Sequence, residues 1–435
     1  MENTKIRWAA VQPLTGGMYL GTQNATGVPA QFILSYEGLN AIKKNRAGEE
    51  IAAVNEGLLQ RYLEKHNDMV NYYNFVGRGM KDADMDVQKV EIKKIYEKDE
   101  RTFEQQVAEG LDLVIAVPVC AGLSTFSAAD IETRANCNNN QKFITKYTLE
   151  VLKPTVYVFE NAPALFGGRS QLAAELHLYY NDIAAKYGYS ITYLYTDSIF
   201  HHNAQSRKRT FVVMTKHRAG EIVDYKFQGE KVSYDLKEYL ATIPENATQK
   251  DILCGLAPID RALINYAKSL YGEDWRVKTV EEVGKNVIAL AMKDKFVAFR
   301  KYLAEHASEY TEEEMQKTNR LIDHILDKAA QNKGAFLSTP VICLDRIGAV
   351  MNKTNASAIH PTEDRHFNVR ELLTFMGLPF DYEIISGRDM PLIGQNVPVK
   401  TAEWVIRNVV NIIEQYDNLP TTDKNESYFN NVKED

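Results

Sequence analysis

The chain has 435 residues, of which 45% are hydrophobic and 25% charged, the composition of an ordinary globular protein. This length exceeds what one small core can organise, so we expect more than one structural unit. A formal net charge of −7 excludes a uniformly basic nucleic-acid-binding protein, but it does not exclude a local basic surface.

The first 225 residues alternate short apolar runs with amphipathic stretches. The predicted strands are residues 31–35 (QFILS), 113–117 (LVIAV), 155–159 (TVYVF), 190–195 and 210–214 (TFVVM), and the predicted helices include 56–66 and 141–152. Continuous apolar strands that alternate with helices favour a largely parallel sheet covered on both faces. We therefore predict a Rossmann-like α/β fold with a mainly parallel central sheet.

The pattern changes after about residue 225. Residues 226–335 are polar and helical in pattern, most clearly at 309–330. Further helices are predicted at 369–376 and 401–415. Residues 421–435 have little to bury and are predicted to be disordered.

Four cysteines, Cys120, Cys137, Cys254 and Cys343, form no CxxC pair. Their spacing fits neither a zinc site nor a disulfide framework, so we predict no metal site. Free thiols are typical of a reducing compartment, and no signal peptide or membrane-spanning run of about 20 apolar residues is recognisable. We therefore expect a cytoplasmic protein.

The segment DLVIAVPVCAGLSTFS, residues 112–127, carries the first candidate catalytic residue. Its apolar strand leads into Pro118 and Cys120, and α/β sheets bind ligands beyond the carboxyl ends of their strands. Cys120 is therefore a candidate nucleophile. The alternative is a small buried hydrophobic side chain, which is the commoner role of a lone cysteine.

The segment TVYVFENAPAL, residues 155–165, ends a second apolar strand in Glu160 and Asn161. A carboxyl group in this position is poorly solvated, which raises its pKa and lets it donate a proton near neutral pH. The alternative is a glutamate that caps a helix or faces solvent.

The segment AQSRKRTFVVM, residues 204–214, is the third candidate. The strand period places Gln205, Arg207 and Arg209 on one side and Lys208 on the other. Guanidinium groups suit carbonyl or phosphate oxygens. Six basic residues stand against two acidic ones between Arg207 and Lys226, so a solvated basic strand edge is the alternative.

The order of these three segments resembles the DNA cytosine-5 methyltransferases. In that family the nucleophile lies in a Pro-x-Cys turn, the proton donor in a Glu-Asn-Val motif, and a Gln-x-Arg-x-Arg motif follows. Residues 359–379 (IHPTEDRHFNVRELLTFMGLP) resemble the segment after target recognition. Residues 394–398 (GQNVP) resemble the late Gly-Asn-x-Val-Pro motif, with Gln395 inserted or substituted.

The resemblance implies a Rossmann-like methyltransferase fold plus a smaller target-recognition domain, with DNA bound in the cleft between them. The catalytic domain would be residues 1–225, completed by 391–420. Residues 226–390 would hold the target-recognition region and a return segment, with specificity elements in 226–345.

The resemblance also implies roles for individual residues. Cys120 would attack the cytosine ring, Glu160 would protonate it, Asn161 would position the base, and Arg209 and Arg207 would bind the cytosine carbonyl. S-adenosylmethionine would be the donor, and its expected contacts are Gly16, Gly17, Glu37, Pro118, Asn396 and Val397. Expected DNA contacts are Gln205, Ser124 and Arg134, and the loop at residues 121–140 would close over the flipped base.

The sequence departs from the family pattern near its N-terminus, in AAVQPLTGGMYLG. Gln12 replaces a phenylalanine and Leu14 replaces the first glycine of the donor-binding loop. The acidic contact to the adenine ring could be Asp82, Asp84 or Asp86. Ala121 replaces the glutamine that usually follows the nucleophile.

The leading hypothesis is a monomeric, site-specific methyltransferase that acts on double-stranded DNA, with a cognate restriction endonuclease as a candidate partner. One alternative is a cytosine-5 modifying enzyme with a different one-carbon donor or substituent. Others are a catalytically silent DNA-binding relative and an enzyme that acts on RNA.

Overall fold

The computed structural model describes most of the chain, in these ranges: residues 6–36, 42–44, 50–52, 56–77, 86–120, 122–123, 131–168, 170–217, 229, 231–252, 255–291, 296–331, 340–351, 358–385, 390–416 and 427–431. Two compact units divide the chain. Unit 1 comprises Met1–Val232, Met376–Leu378 and Glu383–Asp435, and unit 2 comprises Ser233–Phe375 and Pro379–Tyr382. The first division falls after Val232, and the boundary after residue 225 remains a prediction.

The described strands, in chain order, are β1 (Trp8–Val11), β2 (Phe32–Tyr36), β3 (Ile42–Lys44), β4 (Glu50–Ala52), β5 (Asn71–Phe75), β6 (Ile92–Tyr96), β7 (Leu113–Ala116), β8 (Val156–Asn161), β9 (Tyr189–Asp197), β10 (Lys208–Lys216), β11 (Val341–Ile342), β12 (Ala358–Ile359) and β13 (Ser427–Asn431). All except β11 and β12 belong to unit 1.

The described α-helices are α1 (Gly17–Thr26), α2 (Glu56–Lys65), α3 (Phe103–Ala108), α4 (Ile131–Tyr147), α5 (Ala164–Gly167), α6 (Gln171–Tyr187), α7 (Leu236–Ala241), α8 (Pro258–Tyr271), α9 (Trp275–Val283), α10 (Phe296–Glu305), α11 (Glu312–Ala330), α12 (Val369–Phe375), α13 (Met390–Ile393) and α14 (Val399–Glu414). Among the residues placed with enough certainty to describe, no helix is both long and apolar enough to span a membrane.

Unit 1 is built on a nine-stranded sheet in the order β13-β9-β10-β8-β7-β1-β2-β5-β6. The neighbours β1–β2, β1–β7, β2–β5, β7–β8 and β9–β13 are parallel, while β10 and β6 run antiparallel to their neighbours. The predicted α/β fold with a mainly parallel sheet is confirmed.

The register of the central strands brings several loops to one edge of the sheet. Val11 pairs with Ala116, and Ala116 pairs with Phe159, so β1, β7 and β8 end at the same level. Strand β10 begins at this edge and pairs Phe211 with Glu160. The topology therefore brings together, at one edge of the sheet, the segments that follow β1, β7 and β8 and the segment that precedes β10.

Strands β5 and β6 are absent from the predicted elements. The sequence of β5, NYYNF, is too polar to indicate a central strand, yet all five residues are buried. Asn71 is tolerated there because its Oδ1 accepts from the Lys98 N–H at 2.7 Å and its Nδ2 donates to Asp99 at 3.1 Å. Satisfied hydrogen bonds remove most of the cost of burying an amide.

Five residues of the segment 421–435, which was predicted to be disordered, are described, and they form a strand. Residues Ser427–Asn431 form β13 and pair in parallel with the outer side of β9. An edge strand offers unpaired backbone N–H and C=O groups, and a short polar segment can satisfy them without contributing to the core. Amino-acid composition indicates which side chains are buried. It does not indicate whether the backbone of a segment pairs with a strand.

Unit 2 is largely helical and has its own core, which includes Ile259, Trp275 and Phe299. Residues 359–379, which resemble the family segment that follows target recognition, are held by internal polar contacts. Arg365 donates to both carboxylate oxygens of Glu371 at 2.8 Å. That the second unit is a target-recognition domain remains a prediction.

Candidate active site

Cys120 lies just beyond β7, at the sheet edge where β1 and β8 also end. The turn that carries it is fixed from α4. The Val119 N–H donates to Asn140 Oδ1 at 2.8 Å, and Gln141 Nε2 donates to the Val119 carbonyl at 3.0 Å. Pro118 is buried, whereas Cys120 is exposed. The cysteine is therefore held firmly at a position that a ligand can reach.

The orienting residue Asn140 was expected in a loop, residues 121–140, that closes over DNA, whereas Gln141 was expected to begin a helix. The expectation of a loop is wrong for residues 131–140, which form the first ten residues of α4; residues 121 and 124–130 lie outside the described residues. Asparagine has a weak helix propensity, but tertiary hydrogen bonds override it here. Asn140, for example, also donates to the Tyr36 hydroxyl at 3.2 Å.

Glu160 and Asn161 end β8 and are both buried. Burial raises the pKa of Glu160, while the charges of Arg209 and Arg207 oppose the shift. The Asn161 Oδ1 accepts from the Ala162 N–H at 2.8 Å and so shapes the turn after the strand. Its Nδ2 is buried and has no hydrogen-bond partner among the described residues.

Arg209 is the arginine best placed to contact a substrate. It lies two residues from Phe211, the partner of Glu160 across β8 and β10, and therefore on the same face of the sheet. Its Nε lies 2.5 Å from Glu160 Oε1, and its side chain is 19% exposed. The pair thus joins a proton-donor candidate to a cation that solvent can reach.

Arg207 and Gln205 differ from the prediction. Strand β10 begins at Lys208, so the expected alternation does not extend back to them. Arg207 is 2% exposed, and its Nη2 donates to the Gly394 carbonyl at 2.7 Å. Gln205 is fully buried and donates to the Met376 sulfur at 3.2 Å. Both side chains are buried in this structure, and direct contacts of Arg207 with cytosine and of Gln205 with DNA remain predictions.

Cys120 shares its electrostatic environment with these charged groups. The protein atoms packed around its sulfur and the Glu160 carboxylate raise the pKa of the thiol, and Arg209 and Arg207 oppose that shift. Although the residue as a whole is accessible, its sulfur is poorly solvated. Protonation of Glu160 removes its negative charge and therefore lowers the pKa of the Cys120 thiol, which favours the thiolate.

The backbone of the loop after β1 has the positive φ angles typical of glycine, although the expected glycine is replaced. Leu14 has a φ of 52° and Gln12 a φ of 51°. This left-handed region is unfavourable for side chains other than glycine, by roughly 1 kcal/mol per residue. Gln12 is buried, and its Oε1 has no hydrogen-bond partner among the described residues.

The N-terminus of α1 packs directly against the GQNVP segment. The Gly17 N–H donates to Asn396 Oδ1 at 2.7 Å, whereas Asn396 Nδ2 is buried without a partner among the described residues. Val397 is 1% exposed, so its side chain supports the helix rather than facing a ligand. A helix N-terminus beside an unpaired amide N–H group fits the carboxylate of a donor such as S-adenosylmethionine.

Gly17→Ala should destabilise unit 1 strongly. An alanine Cβ would lie 1.9 Å from the Val397 carbonyl oxygen and 2.6 Å from Asn396 Oδ1, so the backbone must move. We expect a loss of about 3 kcal/mol in the free energy of unfolding, measured by denaturant titration with circular dichroism. The matched control is Gly348→Ala, whose Cβ meets no atom within 4 Å. Equal stability of the two variants would contradict this packing.

Several other predicted site residues fall outside the described residues or make contacts within the protein. Glu37 and Ser124 fall outside the described residues, as do Asp82 and Asp84. Asp86 is exposed and accepts from the Gln88 N–H at 3.2 Å. The Nε of Arg134 donates to the Gly122 carbonyl at 3.1 Å, so this side chain fastens α4 to the loop after Cys120; a phosphate contact for it remains a prediction.

A comparison with known protein families identifies the family of this chain. The model of the C-5 cytosine-specific DNA methylases matches residues 80–411. The chain belongs to this family. Family membership supports DNA methyltransferase activity for this chain, and the match begins after the segment in which Gln12 and Leu14 depart from the family pattern.

A solved structure supports the fold of this chain. A DNA modification methyltransferase encoded in a prophage of E. coli is 13% identical, with 94% of this chain and 99% of that chain covered and a TM-score of 0.50. The methyltransferase EhMeth of Entamoeba histolytica is 10% identical, with 95% and 99% covered and a TM-score of 0.49. No curated protein sequence gives a significant match.

Proposed function

We propose that the protein transfers a methyl group from S-adenosylmethionine to carbon 5 of a flipped cytosine in DNA, through a covalent adduct with Cys120. The observation that carries this proposal is the placement of Cys120, Glu160 and Arg209 at one sheet edge. Cys120 is accessible, Glu160 is poorly solvated, and the cation of Arg209 lies 2.5 Å from the carboxylate. A nucleophile, an acid and a carbonyl-binding cation are the groups that this chemistry needs.

The residues act on the cytosine ring as follows. The Cys120 sulfur bonds to carbon 6 while Glu160, in its protonated form, donates to ring nitrogen 3 and Arg209 binds the carbonyl oxygen. The ring loses its aromaticity, and carbon 5 becomes nucleophilic. Because protonation of Glu160 removes the negative charge that raises the thiol pKa, the protonated form of Glu160 that ring nitrogen 3 requires is also the form that favours the Cys120 thiolate.

The donor site would be the N-terminus of α1. Asn396 Oδ1 accepts from the Gly17 N–H, and Asn396 Nδ2, which has no hydrogen-bond partner among the described residues, suits the carboxylate of the donor. When bound, S-adenosylmethionine supplies an electrophilic methyl group. After carbon 5 is methylated, its proton leaves and the bond between sulfur and carbon 6 breaks, which restores the ring and frees Cys120.

The substrate base must leave the duplex stack before Cys120 can reach it, at a cost of a few kcal/mol. We assign target recognition to unit 2, since base readout requires side chains placed in a groove of the DNA. Double-stranded DNA as the substrate, a monomeric enzyme and a cognate restriction endonuclease complete the proposal.

A second candidate keeps Cys120 and changes the donor. Gln12 and Leu14 are the observations that favour it, because they alter the donor-binding loop and leave a buried, unpaired oxygen at Gln12. A donor that carries an additional hydrogen-bond donor group could satisfy that oxygen.

Mass spectrometry of nucleosides tests both candidates. Duplex DNA is incubated with the enzyme and S-adenosylmethionine, digested and analysed, with transfer RNA as a competing substrate. The first candidate predicts a deoxycytidine heavier by one CH₂ group. Unmodified DNA with S-adenosylmethionine, together with a different mass shift on DNA recovered from cells that express the enzyme, supports the second candidate. Modification of the transfer RNA alone contradicts DNA as the substrate.

A further inference from the structure

Arg207 has no substrate-facing role in the structure, because its side chain is 2% exposed. It is nevertheless one of the charged groups that act on the Cys120 thiol and on the Glu160 carboxylate. Burying a guanidinium is costly unless its hydrogen bonds are satisfied, so its position calls for an explanation.

The guanidinium is anchored to the segment that holds the donor end of α1. Its Nη2 donates to the Gly394 carbonyl at 2.7 Å, and its backbone N–H donates to Ser198 Oγ at 2.9 Å. A hydrogen bond from a charged donor to a carbonyl is among the stronger ones in proteins.

The segment that begins at Gly394 packs directly against the N-terminus of α1. Asn396, two residues further on, accepts from the Gly17 N–H at 2.7 Å. Gly17 packs so closely against the Val397 carbonyl that an added Cβ would lie 1.9 Å from it. A displacement of Gly394 would therefore also displace the N-terminus of α1.

We propose that Arg207 is a positioning residue that serves both reactants: its hydrogen bond to Gly394 holds the 394–397 segment against the donor end of α1, and its buried guanidinium places a positive charge that acts on Cys120. This role rests on the proposed function, since it assumes a donor at α1 and a nucleophile at Cys120. The Arg207 side chain would therefore have two effects that can be separated. Its effect on the donor site depends on hydrogen-bond geometry, and its effect on Cys120 depends on charge.

Two substitutions separate these effects. Arg207→Lys keeps the charge but loses the planar donor that reaches Gly394. Arg207→Met removes both. The matched control is Arg370→Lys in unit 2, where a fully buried arginine also donates to carbonyls, including that of Phe380 at 3.1 Å.

The first measurement is the pH dependence of Cys120 alkylation by iodoacetamide in the full chain, without DNA or donor, followed by peptide mass spectrometry. Loss of a nearby positive charge raises a thiol pKa by about one unit. We expect the midpoint to move up by about one pH unit in Arg207→Met and to stay unchanged in Arg207→Lys and Arg370→Lys.

The second measurement is the dissociation constant of S-adenosylhomocysteine by calorimetry. We expect both Arg207 variants to bind it about tenfold more weakly, as the loss of one charge-assisted hydrogen bond implies, and Arg370→Lys to bind it like the parent. If the Arg207 variants lose only thermal stability, as Arg370→Lys does, and both measurements are unchanged, the proposal is overturned. A parent chain that does not bind S-adenosylhomocysteine contradicts the proposed donor instead, and the alkylation profile then decides the effect of Arg207 on Cys120.

Discussion

Cys120→Ser should reduce methyl transfer by at least about 10⁴-fold while DNA binding survives. A serine hydroxyl is far less acidic than a thiol and cannot supply the nucleophile that carbon 6 requires. The exposed position of Cys120 allows this nearly isosteric exchange without loss of the fold.

The measurement is single-turnover transfer of labelled methyl groups, together with fluorescence anisotropy of a cytosine-containing duplex. Cys137→Ser is the matched control, because Cys137 is a partly buried cysteine of the neighbouring helix α4. Methyl transfer by Cys120→Ser at a rate near that of the control would remove Cys120 from the mechanism.

Glu160→Gln should act in opposite directions on catalysis and on thiol reactivity. Without a proton donor at ring nitrogen 3, we expect the chemical step to slow by about 10³-fold or more. The Glu160 carboxylate raises the pKa of Cys120, so its removal should lower that pKa and move the pH midpoint of Cys120 alkylation downward. The variant would thus be more reactive towards iodoacetamide at neutral pH and almost inactive towards DNA.

Single-turnover kinetics and peptide mass spectrometry measure the two effects of Glu160→Gln. Glu109→Gln, which breaks an exposed ion pair with Arg7, should change neither quantity, because exposed pairs contribute little. A change in DNA affinity alone would show that Glu160 is not the proton donor. An unchanged alkylation profile would show that its charge does not act on the thiol.

The central part of the site could be predicted from the sequence because buried parallel strands leave a clear pattern. The apolar runs of β7 and β8 end directly at Pro118 and at Glu160, and the register of the sheet then brings the two ends together. Arg209 follows from the same logic, since it lies near the start of β10, just before the apolar run from Phe211 to Met214.

Other features depend on tertiary contacts that local sequence does not encode. Nothing local distinguishes Arg207 from Arg209, yet one is buried on a protein carbonyl and the other pairs with Glu160. Likewise, the asparagine-rich start of α4 reads as a loop, and only the partners of Asn140 reveal why it is helical. The residues that orient the site were therefore harder to predict than those proposed to react.

The most direct test of the account is covalent trapping on a duplex that contains 5-fluorocytosine at the target site, in the presence of S-adenosylmethionine. Fluorine at carbon 5 blocks the final proton loss, so the adduct should persist. The account predicts a stable protein–DNA complex in which peptide mass spectrometry locates the crosslink at Cys120, and predicts no complex for Cys120→Ser. A crosslink at another residue, or a methylated product without any adduct, would contradict it.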